Sequence, residues 1–301
     1  IPDYFGMKIV EDKLEDYDCE IFAEIVDAAI LSIPQIVKIS KKYIRDGANV
    51  IDLGCMPDTE FNHLEDTVKA LKSLGVKVSV DSANDSELIR GSKAGADFIL
   101  SVSEKNKHIL NEIKSLPVLI PAKQGNLKSL ERLIKEMIKN KKEFLADPIL
   151  DPIHYGFAKS VDRYVKLRKK FPNIKILMGT GNLTELTDCD SVGTNMILMG
   201  LVSELSINAV LVVQVSNHCK NAIKETDAAR TIMHFSKINQ RLPFRINNSL
   251  MCISERKAQR KSMKELKEMK SMVKDKNFRI FLSDNSINVF NSVTFASGSD
   301  P

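Results

Sequence analysis

The residues best suited to chemistry are acids and amides that close apolar runs. "FLADPILDP" ends such a run on Asp147 and offers a second carboxylate at Asp151. The pattern recurs: "EIFAEIVD" reaches Glu24 and Asp27, "NVIDLG" carries Asp52, "KVSVDS" ends at Asp81 and Ser82, "KILMGTGN" runs into Asn182, and "AVLVVQVSNH" reaches Gln214 and His218. Singly, each acid fits a helix cap or a loop acceptor; Asp81, for instance, precedes a helix that begins near Asn84. Gathered on one rim, they fit a ligand. A metal would call for histidines among the carboxylates, yet His63, His108 and His234 fall in helical stretches and only His154 and His218 reach such a rim, so no metal is expected. A phosphate would use glycine amides such as "GTG" at 179 to 181, but the neighbouring acids repel it. The third reading is a flat heterocycle with parallel N–H donors, such as the pyrimidinone edge of a pterin or guanine. There a carboxylate accepts two bonds at once, and charge assistance makes the pair specific.

These residues need a frame that brings strand ends together. Eight β-branched runs read as strands: 20 to 26, 49 to 54, 77 to 82, 97 to 102, 117 to 122, 144 to 148, 175 to 180 and 209 to 214. Between them lie amphipathic stretches such as "PQIVKISKKYIRDG", with Pro34 in its first turn and Gly47 as its stop. The strands are nearly continuous in apolar character, as a parallel sheet covered by helices requires. Strict alternation points to a (β/α)8 TIM barrel over residues 20 to 245, with an open doubly wound sheet as the competitor. In such a barrel the C-terminal ends of the strands carry the chemistry.

Outside the barrel, residues 1 to 19 read as an extended or hairpin-like lead-in. Residues 246 to 301 hold a Lys-rich amphipathic helix at 254 to 276, with Met263, Leu266, Met269, Met272 and Val273 at helical spacing, and then the start of a β-rich unit. A chain that opens on Ile1 and closes within a new unit is expected to be a piece or processed form of a longer protein.

Composition narrows the class. Of 301 residues, 43% are hydrophobic, enough for one large core, and the net charge of +5 comes from 44 basic and 39 acidic residues, a mixture that gives no uniform basic face for nucleic acid. Five scattered cysteines without a CxxC pair or a secretory signal suit free thiols in the cytoplasm, and no uncharged apolar run is long enough to span a membrane.

"GANVIDLGCMPD" followed by "VKVSVDSANDSELIRGSKAGADFILSVS" resembles the pterin-binding barrel shared by dihydropteroate synthases and methyltetrahydrofolate–corrinoid methyltransferases, and is most similar to archaeal dihydropteroate synthase-related proteins. The Ser-Arg-Lys and Arg-x-His-Asp motifs of the synthases are absent; "GTGNLTEL" places Asn182 as the methyltransferases do, and Gln214 replaces the synthases' strand-eight arginine. "ADPILDP" is similar to the methyltransferases' Asp-Pro-x-Ile-x-Pro, which matches Asp147, and "AEIVDA" sets Asp27 where they have Asn. One departure is Leu100, which stands where both branches carry a pterin-binding Asn on strand four, with Ser101 or Ser103 as partial substitutes. The resemblance implies that Asp81 and Asp147 anchor a tetrahydropterin, of the tetrahydromethanopterin or tetrahydrofolate type, with Asp27, Asp52, Ser101 and Gln214 in support. It implies Asn182 as the catalytic contact to N5, a Co(I) corrinoid on a partner protein as methyl acceptor, and a homodimer. A dihydropteroate synthase-like condensation and a non-catalytic pterin-binding subunit are the alternatives.

Overall fold

The computed structural model describes residue 14 and residues 16–251, 260–283 and 286–298. Most of the lead-in and the stretch at 252–259 lie outside the described residues.

Eight parallel strands close into a barrel in chain order: β1 (Glu20–Ile25), β2 (Val50–Gly54), β3 (Lys77–Asp81), β4 (Phe98–Val102), β5 (Leu116–Leu119), β6 (Leu145–Ala146), β7 (Lys175–Gly179) and β8 (Ala209–Val213), with β8 paired back onto β1. The fold is therefore the (β/α)8 barrel. Helices α1 (Ile33–Arg45), α2 (Leu64–Lys72), α3 (Asp85–Ala94), α4 (Leu127–Lys139), α5 (Phe157–Lys170), α6 (Gly181–Thr184), α7 (Ser191–Glu204) and α8 (Ala222–Ile238) form the outer ring. Alternation is not strict. Between β4 and β5 the chain makes a 3-10 turn at Lys107–Asn111, and β7 is followed by two helices.

Helix boundaries follow their local chemistry. Ser32 and Gln35 form a capping box on α1, with Pro34 in the first turn as expected. Asn84, not Asp81, caps α3 by accepting from the Ser86 amide at 2.9 Å, which leaves Asp81 free of capping duty.

Period-two alternation splits each strand into two faces. Ile21, Ala23, Ile51, Leu53, Val78, Val80, Ile176, Met178, Val210 and Val212 face the helices in the main core. Phe22, Val50, Phe98, Leu100, Val118, Leu145, Leu177 and Ala209 fill the barrel interior as a second cluster. This plug of apolar side chains makes the interior a packed core, so polar inward residues farther along the strands stand on its upper surface.

The chain divides into two compact units, between Leu250 and Met251. In the second, α9 (Met263–Met272) starts on a Ser262–Glu265 capping box and buries Leu266, shorter than the helix expected at 254 to 276. Strands β9 (Arg279–Leu282), β10 (Ile287–Phe290) and β11 (Phe295–Gly298) form an antiparallel sheet, on which Phe290 stacks between Phe281 and Phe295. Among the described residues, no helix is long and apolar enough to cross a membrane.

Candidate functional site

Strand register assembles an acidic corner. Glu24 pairs with Asp52, Asp52 with Ser79, and Gly54 with Asp81, across β1, β2 and β3. Asp52 is fully buried, accepts from Ser79 Oγ at 2.5 Å, and has no partner for Oδ2 among the described residues. Gly54 lacks the Cβ that would lie 2.7 Å from Glu24 Oε1, so the Glu24 carboxyl rests over the glycine, one strand from Asp81. Burial, then Asp81 and Asp27, lifts Glu24 to about 7. Burial and the charges of Asp81 and Glu24 push Asp52 well above the carboxylate range against the Ser79 hydrogen bond, and burial also raises Asp81. With carboxyls this close and this dry, Glu24 and Asp52 hold their protons more tightly than free carboxyls do.

Ser101 reaches this corner through an irregularity in β4. The β4–β5 register shifts between Ile99 and Val102, and Ser101 takes a left-handed backbone at φ 64°. Leu100 faces the interior plug by ordinary alternation from Phe98, while the irregularity lets Ser101 Oγ donate to Asp81 Oδ1 at 2.5 Å. Ser103 is buried and tied to its own loop: its amide donates to Asn106 Oδ1 at 2.8 Å.

Asp147 stands across the barrel mouth, where its amide extends the β6 ladder to Leu119 O at 2.8 Å. Its Oδ1 accepts from the Ile149 amide at 2.7 Å and from the Tyr164 phenol of α5 at 2.6 Å. Burial raises Asp147 to about 6, against the opposing pull of those two donors. The neighbouring helix residue, Arg163, donates to Asp151 Oδ2 at 2.7 Å and to Ile149 O at 2.6 Å, while Gln124 holds Asp151 Oδ1 at 2.9 Å. Asp151 is thereby neutralised as part of the scaffold.

The remaining residues expected at the site behave differently from one another. Asn182, exposed in α6, donates through Nδ2 to Leu150 O at 2.9 Å, which draws the β7 end against the Asp147 loop. A Cβ on Gly181 would overlap Val213 Cγ2, so only glycine lets α6 come this close to β8. Gln214 is turned to the helix layer, where Oε1 accepts from the Ile223 amide in the first turn of α8 at 3.2 Å. Strand parity explains this: Leu211 and Val213 take the alternate positions, and Gln214 follows Val212 outward. Asp27 is exposed in a left-handed turn at φ 55° with no side-chain capping bond. His218 meets Thr184 O at 3.1 Å through Nε2, and His154 lies in the β6–α5 loop. Among the described residues, no group of three or more His, Cys, Asp or Glu side chains is arranged to hold a metal ion.

Sequence reading left out Tyr164 and Arg163 as partners of the two loop acids. Glu24 was legible, because it lies two residues past the inward Phe22. The geometry offers two well-held carboxylates, Asp81 and Asp147, on β3 and the β6 end. In each, Oδ1 accepts a hydroxyl, and among the described residues no hydrogen bond reaches Oδ2. Such a pair is built to receive N–H donors from a ligand.

A family described as "Pterin binding enzyme" matches residues 24–180, a span from Glu24 through the end of β7. An uncharacterized protein of Methanocaldococcus jannaschii is 31% identical over 265 residues, covering 81% of this chain and 50% of the relative. The chain thus spans about half the length of that curated relative. Among solved structures, a Yersinia pestis dihydropteroate synthase bound to a pterine-sulfa conjugate matches with a TM-score of 0.55 at 17% identity, covering 73% of this chain and 95% of that one. The Anaplasma phagocytophilum dihydropteroate synthase with bound 6-hydroxymethylpterin-monophosphate matches with a TM-score of 0.55 at 14% identity, covering 72% and 99%. At these identities the structures share the fold with this chain.

Proposed function

The chain belongs to the family of pterin-binding enzymes, and from that premise we propose that it binds a reduced pterin, of the tetrahydromethanopterin or tetrahydrofolate type, at the C-terminal rim of the barrel and transfers its N5-methyl group to an acceptor. The observation that carries this reading is the pair Asp81 and Asp147, each steadied by a hydroxyl on Oδ1 and each with Oδ2 left for a ligand. They would take the N–H groups of the pyrimidinone edge. Glu24, Asp52 and Ser101 support Asp81 from below and beside it, Asp27 serves at the periphery of the rim, and Gln214 braces the first turn of α8 behind it.

A methylated tertiary amine is a poor leaving group until a proton or hydrogen bond reaches N5. Asn182 spends one Nδ2 hydrogen on Leu150 O and has a second to offer N5 as the N–CH3 bond breaks and its electron pair stays on nitrogen. A Co(I) corrinoid presented by a partner protein would supply the nucleophile for the methyl group. This reading has the protein acting in the cytoplasm as a homodimer. A second reading, a dihydropteroate synthase-like condensation, draws on the dihydropteroate synthases among the structural relatives.

Calorimetric titration with tetrahydrofolate, tetrahydromethanopterin and their N5-methyl forms tests the pocket. Micromolar binding that Asp147→Ala abolishes is the expected result. Absence of binding by all four would sink it. Turnover with a Co(I) corrinoid acceptor then supports methyl transfer, pyrophosphate release from a pterin pyrophosphate supports condensation, and binding without either supports a non-catalytic subunit.

A further inference from the structure

Beside the Asp147 loop lies a cavity of about 830 Å³ between the β5–α4 and β6–α5 loops. Asp151 and Arg163 are on its lining, so it adjoins the scaffold that holds Asp147. Its charge is unbalanced. Arg163 is offset by Asp151, but Lys123 and Lys159, both exposed, have no acidic partner among the described residues.

The cavity is also shaped by residues that keep it open. Gly125 has φ +73°, and a Cβ there would lie 4.0 Å from Arg163 Nη1, the one guanidinium nitrogen terminus without a hydrogen bond among the described residues. Gly156 has φ +120°, and its missing Cβ would crowd Asp151 Oδ2 at 3.1 Å. Ile153 and Tyr155 add exposed apolar surface, Tyr155 being 79% exposed. A pocket with an apolar wall and two unpaired cations fits a ligand segment that is flat or greasy along its length and anionic at its end.

We propose that this cavity is the subsite for the anionic end of the reduced pterin's side arm, a carboxylate or a phosphate, held by Lys123 and Lys159 with Arg163 Nη1 behind them. The proposal rests on the pterin reading for the identity of its ligand. It assigns affinity for the arm to the β5–β6 side of the rim, separate from the carboxylates that read the ring.

The test compares the wild-type chain with a Lys123→Ala/Lys159→Ala variant, titrated with tetrahydrofolate, tetrahydromethanopterin and the armless 6-methyltetrahydropterin. In parallel, inorganic phosphate is titrated into ¹⁵N-labelled protein while the amides of Gly125, Ala158 and Lys159 are followed. The expected result is that an armed pterin binds wild type about tenfold more tightly than the armless one and loses that advantage in the variant, while armless binding is unchanged. The phosphate titration distinguishes the two anions: amide shifts in wild type that the variant loses point to a phosphate, and an armed advantage without them points to a carboxylate. The proposal is overturned if the advantage survives both substitutions, or if no armed ligand has an advantage and phosphate leaves the three amides unmoved. Should no pterin bind while phosphate shifts those amides in wild type and not in the variant, the pterin reading fails and the anion site stands. If neither pterin nor phosphate has any effect, both fall.

Discussion

The phenol of Tyr164 donates to Asp147 Oδ1 at 2.6 Å, so a helix of the outer ring favours the ionised form of a buried carboxylate at the barrel mouth. Burial raises Asp147 to about 6, and the Tyr164 hydrogen bond opposes that rise. The ionised form is the one that accepts N–H donors, so pterin binding should weaken as pH falls through about 6. Tyr164→Phe removes the opposing donor and moves the loss to higher pH. At pH 7 affinity should drop by about tenfold and recover partly at pH 8, with a stability cost of about 1–3 kcal/mol. Binding isotherms from pH 5 to 8 check the shift; an unchanged midpoint would refute it.

The acidic corner makes an opposite demand on the unliganded fold. Glu24, lifted to about 7 by burial, Asp81 and Asp27, keeps a proton that the unfolded chain has already released near its ordinary value. Its contribution to stability is therefore complete at low pH and drains away as pH rises through about 7. Urea midpoints should fall between pH 5 and 8 by the equivalent of on the order of 3 kcal/mol. Glu24→Gln, which cannot ionise, should flatten the slope. A profile that rises with pH in both proteins would be incompatible with this corner.

Leu100 offers a test of the departure from the related pterin sites. It is 3% exposed and packs with Phe22, Phe98 and Val118 inside the barrel. Leu100→Asn restores a carboxamide at that strand position, beside the Ser101–Asp81 pair. Pterin affinity should rise several-fold, and the fold should lose about 2–4 kcal/mol because a polar group enters an apolar plug. Calorimetry and denaturant unfolding on one preparation read both. Loss of stability with no gain in affinity would mean that Leu100 lies outside the ring's reach.

Legibility in the sequence followed the range of the interactions. The barrel was readable because alternating parity and helical periodicity are local; the ends of β2, β3 and β6 pointed to Asp52, Asp81 and Asp147, whereas on β1 the acid beside Asp52 is Glu24 and Asp27 stands exposed in the turn beyond it. What local pattern could not give was direction. Gln214 reads as one more rim amide, yet its parity turns it onto α8. Ser101 reads as a helix-facing residue, yet a register shift with φ 64° turns it to Asp81. The 3-10 crossover before β5 and the Tyr164–Asp147 bond, 17 residues apart, depend on tertiary packing that no strand pattern encodes.

At the opposite end of the barrel, Arg230 shows how the fold is held without touching the site. It is 3% exposed in α8, and its guanidinium donates to Cys19 O at 2.8 Å, Gly47 O at 3.0 Å, Asn49 Oδ1 at 2.5 Å and Asp227 Oδ1 at 2.6 Å, with the Tyr17 ring stacked 3.6 Å away. One planar cation thus ties the entry to β1, the turn before β2 and the last barrel helix. Arg230→Ala would strip Cys19 O and Gly47 O of this donor and leave Asp227 without its cation, while Asn49 Oδ1 keeps the Ile21 amide, at a cost of about 1–3 kcal/mol. Arg230→Lys should recover little, since an ammonium cannot span the same fork of acceptors. Because these contacts gather where the strands begin, the surviving folded fraction should bind pterin with wild-type affinity. Unfolding midpoints together with calorimetric stoichiometry separate the two effects: fewer sites at unchanged Kd supports a stabilising role, and a changed Kd would tie Arg230 to the rim.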